Sequence, residues 1–385
     1  MNEKSMSEST IGRRSFMKRL GMVSAAAAWP VGALFTSQTR AGAAGYCSGP
    51  ALNRGDVAIL QFLAAAELIE SDLWTQYSEL GGIGDNPPIE VDQGQTLNRY
   101  QVALSNLDSD GPQYISSNTL DEVSHATFLN AYLVSRGAEA VNLDEFRTLE
   151  GSTAAGSSGI KRLTNLMRLN VDTSWYVRYR SATNPDLGAT FPQAITLNDV
   201  TAIPGTDADF GANDPSFNVP GNAHIQAIAN VASFHFGYIE QGGSSLYAAM
   251  SQKVTDAEVL EITLGIGGDE IAHFLEWVDF SGNGVQVPVA PFMDSVSGLT
   301  FPNFFSPLNP RIQPSLIFPV PCEFISAELP RVAIIRPLTD KFAGAVAAIA
   351  SFTADGLFIG QSDKFLDTLQ SLAEAADAAT RGPGV

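Results

Sequence analysis

The spacing of apolar residues along the chain predicts a mostly α-helical protein. Residues 56–80 place Ile59, Leu63 and Trp74 near one face of a long helix that Asp56 would cap, and two glycines end the pattern. A capping-box pair, Thr255 and Glu258, predicts the start of another long helix. That helix is predicted to extend to about residue 280, and three further helices are predicted at about residues 97–107, 118–136 and 221–250.

The segments between and after these helices have a different pattern. About residues 140–219 form a long connection, with one helix predicted at 160–179. From residue 285 onward frequent prolines predict an extended, loop-rich segment that ends in a short helix near 364–378.

The helix predicted at 118–136 has an apolar face that we expect to point into the protein. Its residues are Leu120, Val123, Phe128 and Leu129.

The first 43 residues resemble a twin-arginine export signal. Arg13 and Arg14 precede a moderately apolar stretch, residues 20–35, that is too short and too weak for a stable membrane span. Small residues at 41–43 predict cleavage there, and a basic, unprocessed arm is the alternative. We therefore expect a periplasmic or secreted protein, with the export machinery as its first partner.

The net charge of the chain limits the classes of partner that it can bind. The net charge is −19, and residues 1–43 contain six of the basic and two of the acidic residues, which leaves −23 for the remainder. Such a surface repels phosphate backbones, which excludes nucleic acid, and attracts cations. Two cysteines, Cys47 and Cys322, are too few for a thiolate zinc site; an oxidising exterior would allow them to pair, and two free thiols are the other interpretation.

Two of the four histidines follow a glutamate by three positions. Glu122 precedes His125, and Glu270 precedes His273, in both cases within a predicted helix. A spacing of three places carboxylate and imidazole on one helix face, where both can reach one metal centre.

Each pair is preceded along the chain by a helix with a glutamate on its apolar face. These glutamates are Glu67 and Glu240. A buried carboxylate without a partner costs several kcal/mol, so a shared cationic partner is expected. The sequence therefore predicts two divalent metal ions bound by six residues: Glu67, Glu122, His125, Glu240, Glu270 and His273. Oxygen and imidazole ligands without thiolates favour iron or manganese over structural zinc.

The ligand order Glu, Glu-x-x-His, Glu, Glu-x-x-His is that of di-metal carboxylate bundles. With the stretches that carry it, residues 56–74, 121–133, 239–250 and 268–277, the chain resembles the exported ferritin-like domain family that includes the desiccation-related proteins. The resemblance implies a ferritin-like four-helix bundle with a long crossover at about residues 50–285. It also implies that the six residues bind metal, with Glu122 and Glu270 bridging or flanking the ions. Residues 286–385 would form an extension that packs on the bundle.

The function expected from this resemblance is a reaction of two iron or manganese ions with dioxygen or peroxide. Whether the protein is a catalyst stays open, and a stress-associated structural protein or an iron store are the alternatives. Of the nearby residues, Glu70 is expected to be solvated or hydrogen-bonded, and a carboxylate that supports the metal ligands is the alternative. Tyr247 is expected to belong to the core, and a redox-active tyrosine is the alternative. His224 and His235 have no acidic neighbour at helical spacing, which predicts cap or core roles.

Overall fold

A computed structural model describes residues 51–83, 97–174, 194–211, 224–282, 291–303, 326, 328–333 and 344–381. All of them belong to one compact unit, residues 46–385. The predicted export signal, Cys47 and Cys322 lie outside the described residues. The prediction of a mostly helical chain is confirmed, because the described part contains seven α-helices and only two short two-stranded sheets.

Four of the helices are long. They are α1 (Arg54–Gly81), α3 (Gly111–Ser135), α4 (His224–Ser251) and α5 (Ala257–Gly282). Three shorter ones are α2 (Arg99–Ser105), α6 (Ala345–Asp355) and α7 (Asp363–Asp377). None of the described helices combines the length and apolarity that crossing a lipid bilayer requires.

Contacts between the long helices fix their directions. Ser71 of α1 donates to the carbonyl of Glu122 of α3, and Ile83, two residues after the end of α1, donates to Ser116, so the two helices are antiparallel. The same reasoning makes α4 antiparallel to α1, because Tyr247 meets Glu67 while His235 meets Tyr77. Helices α4 and α5 are joined by residues 252–256 and pack along each other. Helices α3 and α4 therefore run in the same direction, which a long connection between them allows.

The residues that cap the starts of α1 and α5 are not the predicted ones. Asn53 caps α1 by accepting from the backbone of Asp56, whereas Asp56 itself accepts from the backbone N–H groups of Thr255 and Asp256. At the start of α5 the carboxylate of Asp256 accepts from the backbone of Glu258. The predicted capping box at Thr255 is therefore wrong, and Asp56 instead ties the start of α1 to that of α5.

The helix predicted at residues 160–179 is also wrong over its described part. Residues 169–172 form strand β1 (Leu169–Asp172), paired antiparallel with β2 (Thr196–Val200). Before it, the carboxylate of Asp72 on α1 accepts from the backbone N–H groups of Leu163 and Thr164. A buried side chain distant in sequence thus takes the donors that would have begun a helix.

The predicted inner face of α3 is only partly correct. Leu129 is fully buried as predicted, whereas Leu120 is 40% exposed and Phe128 is 50% exposed, which contradicts their predicted place inside. The buried positions at the middle of α3 also include Glu122, His125 and Ala126. Helix α3 therefore buries a polar stripe, and apolar residues at its two ends, Ile115 and Leu133, complete its contact with the core.

The other elements pack around the long helices. Helix α7 lies along α1 and contacts α6, and α6 also contacts β1 and α4. A second small sheet pairs β3 (Phe292–Met293) with β4 (Thr300–Phe301). At the centre Trp74 of α1 stacks on Trp277 of α5, with ring centroids 5.3 Å apart, and Phe236 of α4 packs against both rings. This aromatic layer lies one helical turn from the predicted metal ligand His273 on α5 and one turn from Glu70 on α1.

Candidate metal centre

All six residues predicted as metal ligands meet between the four long helices. They form two groups in which the candidate ligand atoms lie within 4.8 Å of one another. The first group is Glu67, Glu122, His125 and Glu270, and the second is Glu122, Glu240, Glu270 and His273. Glu122 and Glu270 belong to both groups, so one carboxylate from α3 and one from α5 connect the two halves.

Each histidine turns its Nδ1 atom toward carboxylates. His125 Nδ1 lies 3.4 Å from Oε2 of Glu67 and 3.4 Å from Oε2 of Glu122. His273 Nδ1 lies 3.1 Å from Oε1 of Glu122 and 3.3 Å from Oε2 of Glu240. All four glutamates are at most 1% exposed. Each imidazole therefore faces a closed set of oxygens.

The two halves of the site are built alike. Ser71, one turn after Glu67, donates to the backbone carbonyl of Glu122, and Ser244, one turn after Glu240, donates to that of Glu270. Each hydroxyl fixes the register of a glutamate-bearing helix against its Glu-x-x-His partner.

The Nε2 atoms of both histidines contact aspartates, and the sequence analysis did not single out these aspartates. Asp269 Oδ2 lies 3.2 Å from Nε2 of His125, and Asp121 Oδ2 lies 3.3 Å from Nε2 of His273. The pairing crosses between α3 and α5. Such carboxylates fix the ring orientation of a metal-binding histidine and raise its basicity. The signal was present in the sequence, since both motifs read Asp-Glu-x-x-His.

Several glutamate oxygens at the centre are buried without a hydrogen bond in the described part of the chain. They are Oε2 of Glu67, Oε1 of Glu122, Oε1 of Glu240 and both oxygens of Glu270. Leaving such oxygens unpaired is costly. Ligands about 2.1 Å from an ion in octahedral geometry lie about 3 Å from one another, close to the spacing at both histidines. These clusters can therefore hold metal ions.

Burial and mutual repulsion favour protonation of the carboxylates. Burial, with the charge of Glu122 as the next cause, raises the pKa of Glu67 from 4.5 to about 7. Burial likewise raises the pKa of Glu270 well above its usual range. Burial alone would lower the pKa of His125, but its contacts with Glu122 and Glu67 outweigh that effect and raise the pKa to about 10. Cations bound here would displace these protons.

Glu70 and Tyr247 both lie beside the centre. Glu70 is 3% exposed, which contradicts a solvated role, and burial together with the charge of Glu122 raises its pKa well above the usual range. Tyr247 is buried as predicted, but its hydroxyl donates to Oε1 of Glu67. Burial, then the charge of Glu67, raises the pKa of Tyr247, so the phenol keeps its proton. Its role beside Glu67 was missed because a tyrosine on an apolar face is typical of a core residue.

His235 has the core role that was predicted, whereas the contacts of His224 are with carboxylates rather than with the backbone of a helix end. His224 begins α4 and its Nδ1 lies 2.6 Å from Oδ2 of Asp294. His235 is fully buried, with Nδ1 2.6 Å from the hydroxyl of Tyr77 and Nε2 2.8 Å from Oδ2 of Asp355. Among the described residues, neither histidine belongs to a group of metal-ligand candidates.

Comparison with known proteins yields no relative. No family profile, curated protein or solved structure matches the chain. The geometry of the site therefore carries the functional conclusion.

Proposed function

We propose that this protein is an exported ferritin-like protein whose centre binds two iron or manganese ions and reacts with dioxygen or peroxide. The observation that carries the proposal is the arrangement of six ligand candidates in two groups that share Glu122 and Glu270. One ion would lie with His125 and the other with His273, and the shared carboxylates would connect them. When bound, such a pair of ions supplies Lewis acidity and redox electrons.

Charge balance supports two ions rather than one. The four ligand glutamates carry four negative charges when ionised, and both ligand histidines are neutral when they bind metal. Two divalent cations balance these charges, whereas a single one balances them only if the second histidine or a carboxylate stays protonated. Oxygen and nitrogen ligands without thiolates suit iron and manganese equally.

The surrounding residues have supporting roles in this proposal. Asp121 and Asp269 orient the imidazoles through Nε2, which leaves Nδ1 for the metal. Tyr247 fixes the carboxylate of Glu67 by donating to Oε1. Glu70 is buried one helical turn from Glu67, where its carboxyl group is placed to hold a proton beside the centre.

The helix directions support a ferritin-like arrangement. In that fold four helices carry the ligands, and one long crossover joins two of them that run in the same direction. Helices α3 and α4 have this relationship, and residues 136–223 connect them. The proposal that the protein is exported rests only on the twin-arginine pattern in residues 1–43.

A titration of metal-free protein with Fe²⁺ under argon, followed by peroxide, tests the proposed reaction. We expect an absorbance change that saturates at two ions per chain and is lost in the double variant Glu122→Gln/Glu270→Gln. Glu261→Gln is the matched control, because Glu261 is exposed on α5. Binding of iron without any spectral response to peroxide or air would overturn the redox assignment.

A stress-associated structural protein is the second candidate function. The ion pairs of His125 with Asp269 and of His273 with Asp121 favour it, because they bind the helices together without any metal. In that case the Glu122→Gln/Glu270→Gln variant would keep the wild-type melting temperature. It would also protect a test enzyme that is dried together with it as well as the wild type does. Under the leading proposal the double variant loses its metal and its peroxide turnover.

A further inference from the structure

Three polar side chains from three different helices form a buried triad next to the aromatic layer of the core. They are Tyr77 of α1, His235 of α4 and Asp355 of α6. The hydroxyl of Tyr77 lies 2.6 Å from Nδ1 of His235, and Nε2 of the same ring lies 2.8 Å from Oδ2 of Asp355. All three side chains are at most 2% exposed. Burying these polar groups costs free energy that an apolar core would avoid, so the triad calls for a chemical role.

The hydrogen bonds of the triad make His235 a proton acceptor for Tyr77. Burial raises the pKa of Tyr77, so its hydroxyl keeps the proton and donates to Nδ1. An imidazole that accepts at Nδ1 carries its proton at Nε2, where it donates to the carboxylate of Asp355. A carboxylate in this position stabilises the imidazolium that forms when Nδ1 takes up a proton.

The triad allows Tyr77 to lose an electron if its proton moves at the same time. Loss of the electron alone would leave a cationic phenol in the core, and an unpaired buried charge is costly. Transfer of the proton to Nδ1 of His235 instead gives a neutral tyrosyl radical and an imidazolium that is paired with Asp355. With Asp355 ionised, the triad carries one negative charge before this step and none after it. Burial therefore favours the oxidised state of the triad.

Aromatic side chains connect the triad to the candidate metal centre. The ring centroid of Tyr77 lies 5.7 Å from that of Trp74, and Trp74 stacks on Trp277 at 5.3 Å. Trp277 follows the candidate ligand His273 by about one helical turn. Tyr77 itself lies ten residues, or about 15 Å along α1, from Glu67. Because indole rings undergo one-electron oxidation, an electron can cross this distance in short steps between neighbouring rings.

We propose that Tyr77 is a redox-active tyrosine that gives one electron to the metal centre while its phenol proton moves to Nδ1 of His235. The electron passes through Trp74 and Trp277. The oxidant is peroxide, so this role rests on the proposed function. One peroxide molecule takes up two electrons and two protons, its O–O bond breaks, and two water molecules form. A metal ion supplies one electron, Tyr77 supplies the other, and both protons come from the solvent.

Flash excitation of tryptophan in the metal-free, full-length protein tests the triad without the metal centre. Hexaamminecobalt(III) takes the electron from excited tryptophan, and transient absorption follows the oxidation of tyrosine by the resulting tryptophan radical. We expect a tyrosyl signal that is at least about tenfold smaller in Tyr77→Phe and unchanged in Tyr114→Phe. An undiminished signal in Tyr77→Phe would overturn the proposal.

Tyr114 is the matched control because it has a similar neighbour but a different hydrogen-bonding environment. Its ring centroid lies 6.2 Å from that of Trp277, so a tryptophan radical there is equally close to it. In the described part of the chain, however, none of the four histidines is hydrogen-bonded to its hydroxyl. A difference between the two tyrosines therefore reports on the proton acceptor and not on distance alone.

Two variants of the triad test the proton transfer. His235→Gln removes the base, so tyrosyl formation should slow at least about 100-fold. Asp355→Asn keeps the shape of the side chain but removes the charge that stabilises the imidazolium, and it should slow the step at least about tenfold. Circular dichroism identifies variants that fold, and a structural role alone would change their melting temperature without changing this rate. A wild-type rate in folded Asp355→Asn would overturn the proposal even if His235→Gln does not fold.

Freeze-quenched electron paramagnetic resonance of Fe²⁺-loaded protein after addition of peroxide tests the link to the metal centre. We expect a tyrosyl signal that narrows when tyrosine is deuterated, that Tyr77→Phe removes and that Tyr114→Phe retains. An absorbance response of the metal without this signal would overturn the role of Tyr77 and leave the proposed function intact. A tyrosyl signal in the flash experiment without any response of the metal to peroxide would instead refute the proposed function, and with it the gift of an electron to the centre.

Discussion

Gly243 of α4 lies directly against the carboxylate of Glu270 on α5, so closely that a Cβ atom would stand 2.0 Å from Oε2 and 2.9 Å from Cδ. The glycine costs α4 about 1 kcal/mol relative to alanine. That cost is offset by the space it gives to a carboxylate shared by both halves of the site.

Gly243→Ala should therefore displace Glu270 and abolish metal binding without unfolding the protein. The colliding atoms are the end of a flexible side chain, so the helices can stay in place while the ligand moves. Metal content after loading should fall at least about tenfold, while the circular dichroism spectrum stays unchanged. Gly242→Ala is the control: its Cβ meets nothing within 4 Å, so it should keep the metal and gain about 0.5–1 kcal/mol of stability. Full metal content in Gly243→Ala would contradict this account of the glycine.

Much of this centre was predictable from local spacing. Glu122 with His125 and Glu270 with His273 share helix faces because three residues make almost one turn. Glu67 and Glu240 stood out as charges on apolar faces. Those features depend only on helical geometry, whereas the meeting of all six residues was implied by the resemblance to di-metal carboxylate bundles.

Other features depend on contacts between distant segments. The hydrophobic pattern of α3 indicated Leu120 and Phe128 as inner residues, but the buried face carries the ligand glutamate and histidine. Asp72 takes the backbone donors at residues 163 and 164, which no local pattern reveals. The position of Tyr247 against Glu67 likewise follows only once α4 is packed on α1.

The aspartates behind the histidines should tune metal affinity without controlling the fold. Asp269→Asn keeps the shape of the side chain but removes the charge that faces Nε2 of His125. Its dissociation constant for Co²⁺ or Mn²⁺ should rise about 10- to 100-fold. Asp279→Asn, an equal charge change at an exposed position about 15 Å along the same helix, should not alter it. Equal affinities for the two variants would show that Asp269 does not orient His125.

The pair His224–Asp294 should make stability depend on pH in a defined window. The hydrogen bond to Asp294 raises the pKa of His224, so its contribution is complete below about pH 6.5 and is lost as pH rises through the raised value. Burial alone would raise the pKa of Asp294, but hydrogen bonds from His224 and Ser297 lower it. Its contribution is therefore present above about pH 4 and is lost as pH falls toward the lowered value.

Urea unfolding of wild type and His224→Gln measures this window. The variant should be less stable by about 1–3 kcal/mol at pH 5, and the difference should shrink at pH 9 as the imidazole of the wild type loses its charge. A difference that is the same at both pH values would contradict an ionic pair. The pair lies away from the candidate metal ligands, so the experiment is done on metal-free protein.

The central claim is that the two groups sharing Glu122 and Glu270 bind two transition-metal ions in each chain. Elemental analysis of protein purified without chelators from the exported fraction of its native cells tests it most directly, with Glu122→Gln/Glu270→Gln prepared in parallel. The account predicts about two iron or manganese ions per wild-type chain and fewer than about 0.2 in the variant. Wild-type protein without a stoichiometric transition metal, or a variant with the same content, would contradict it.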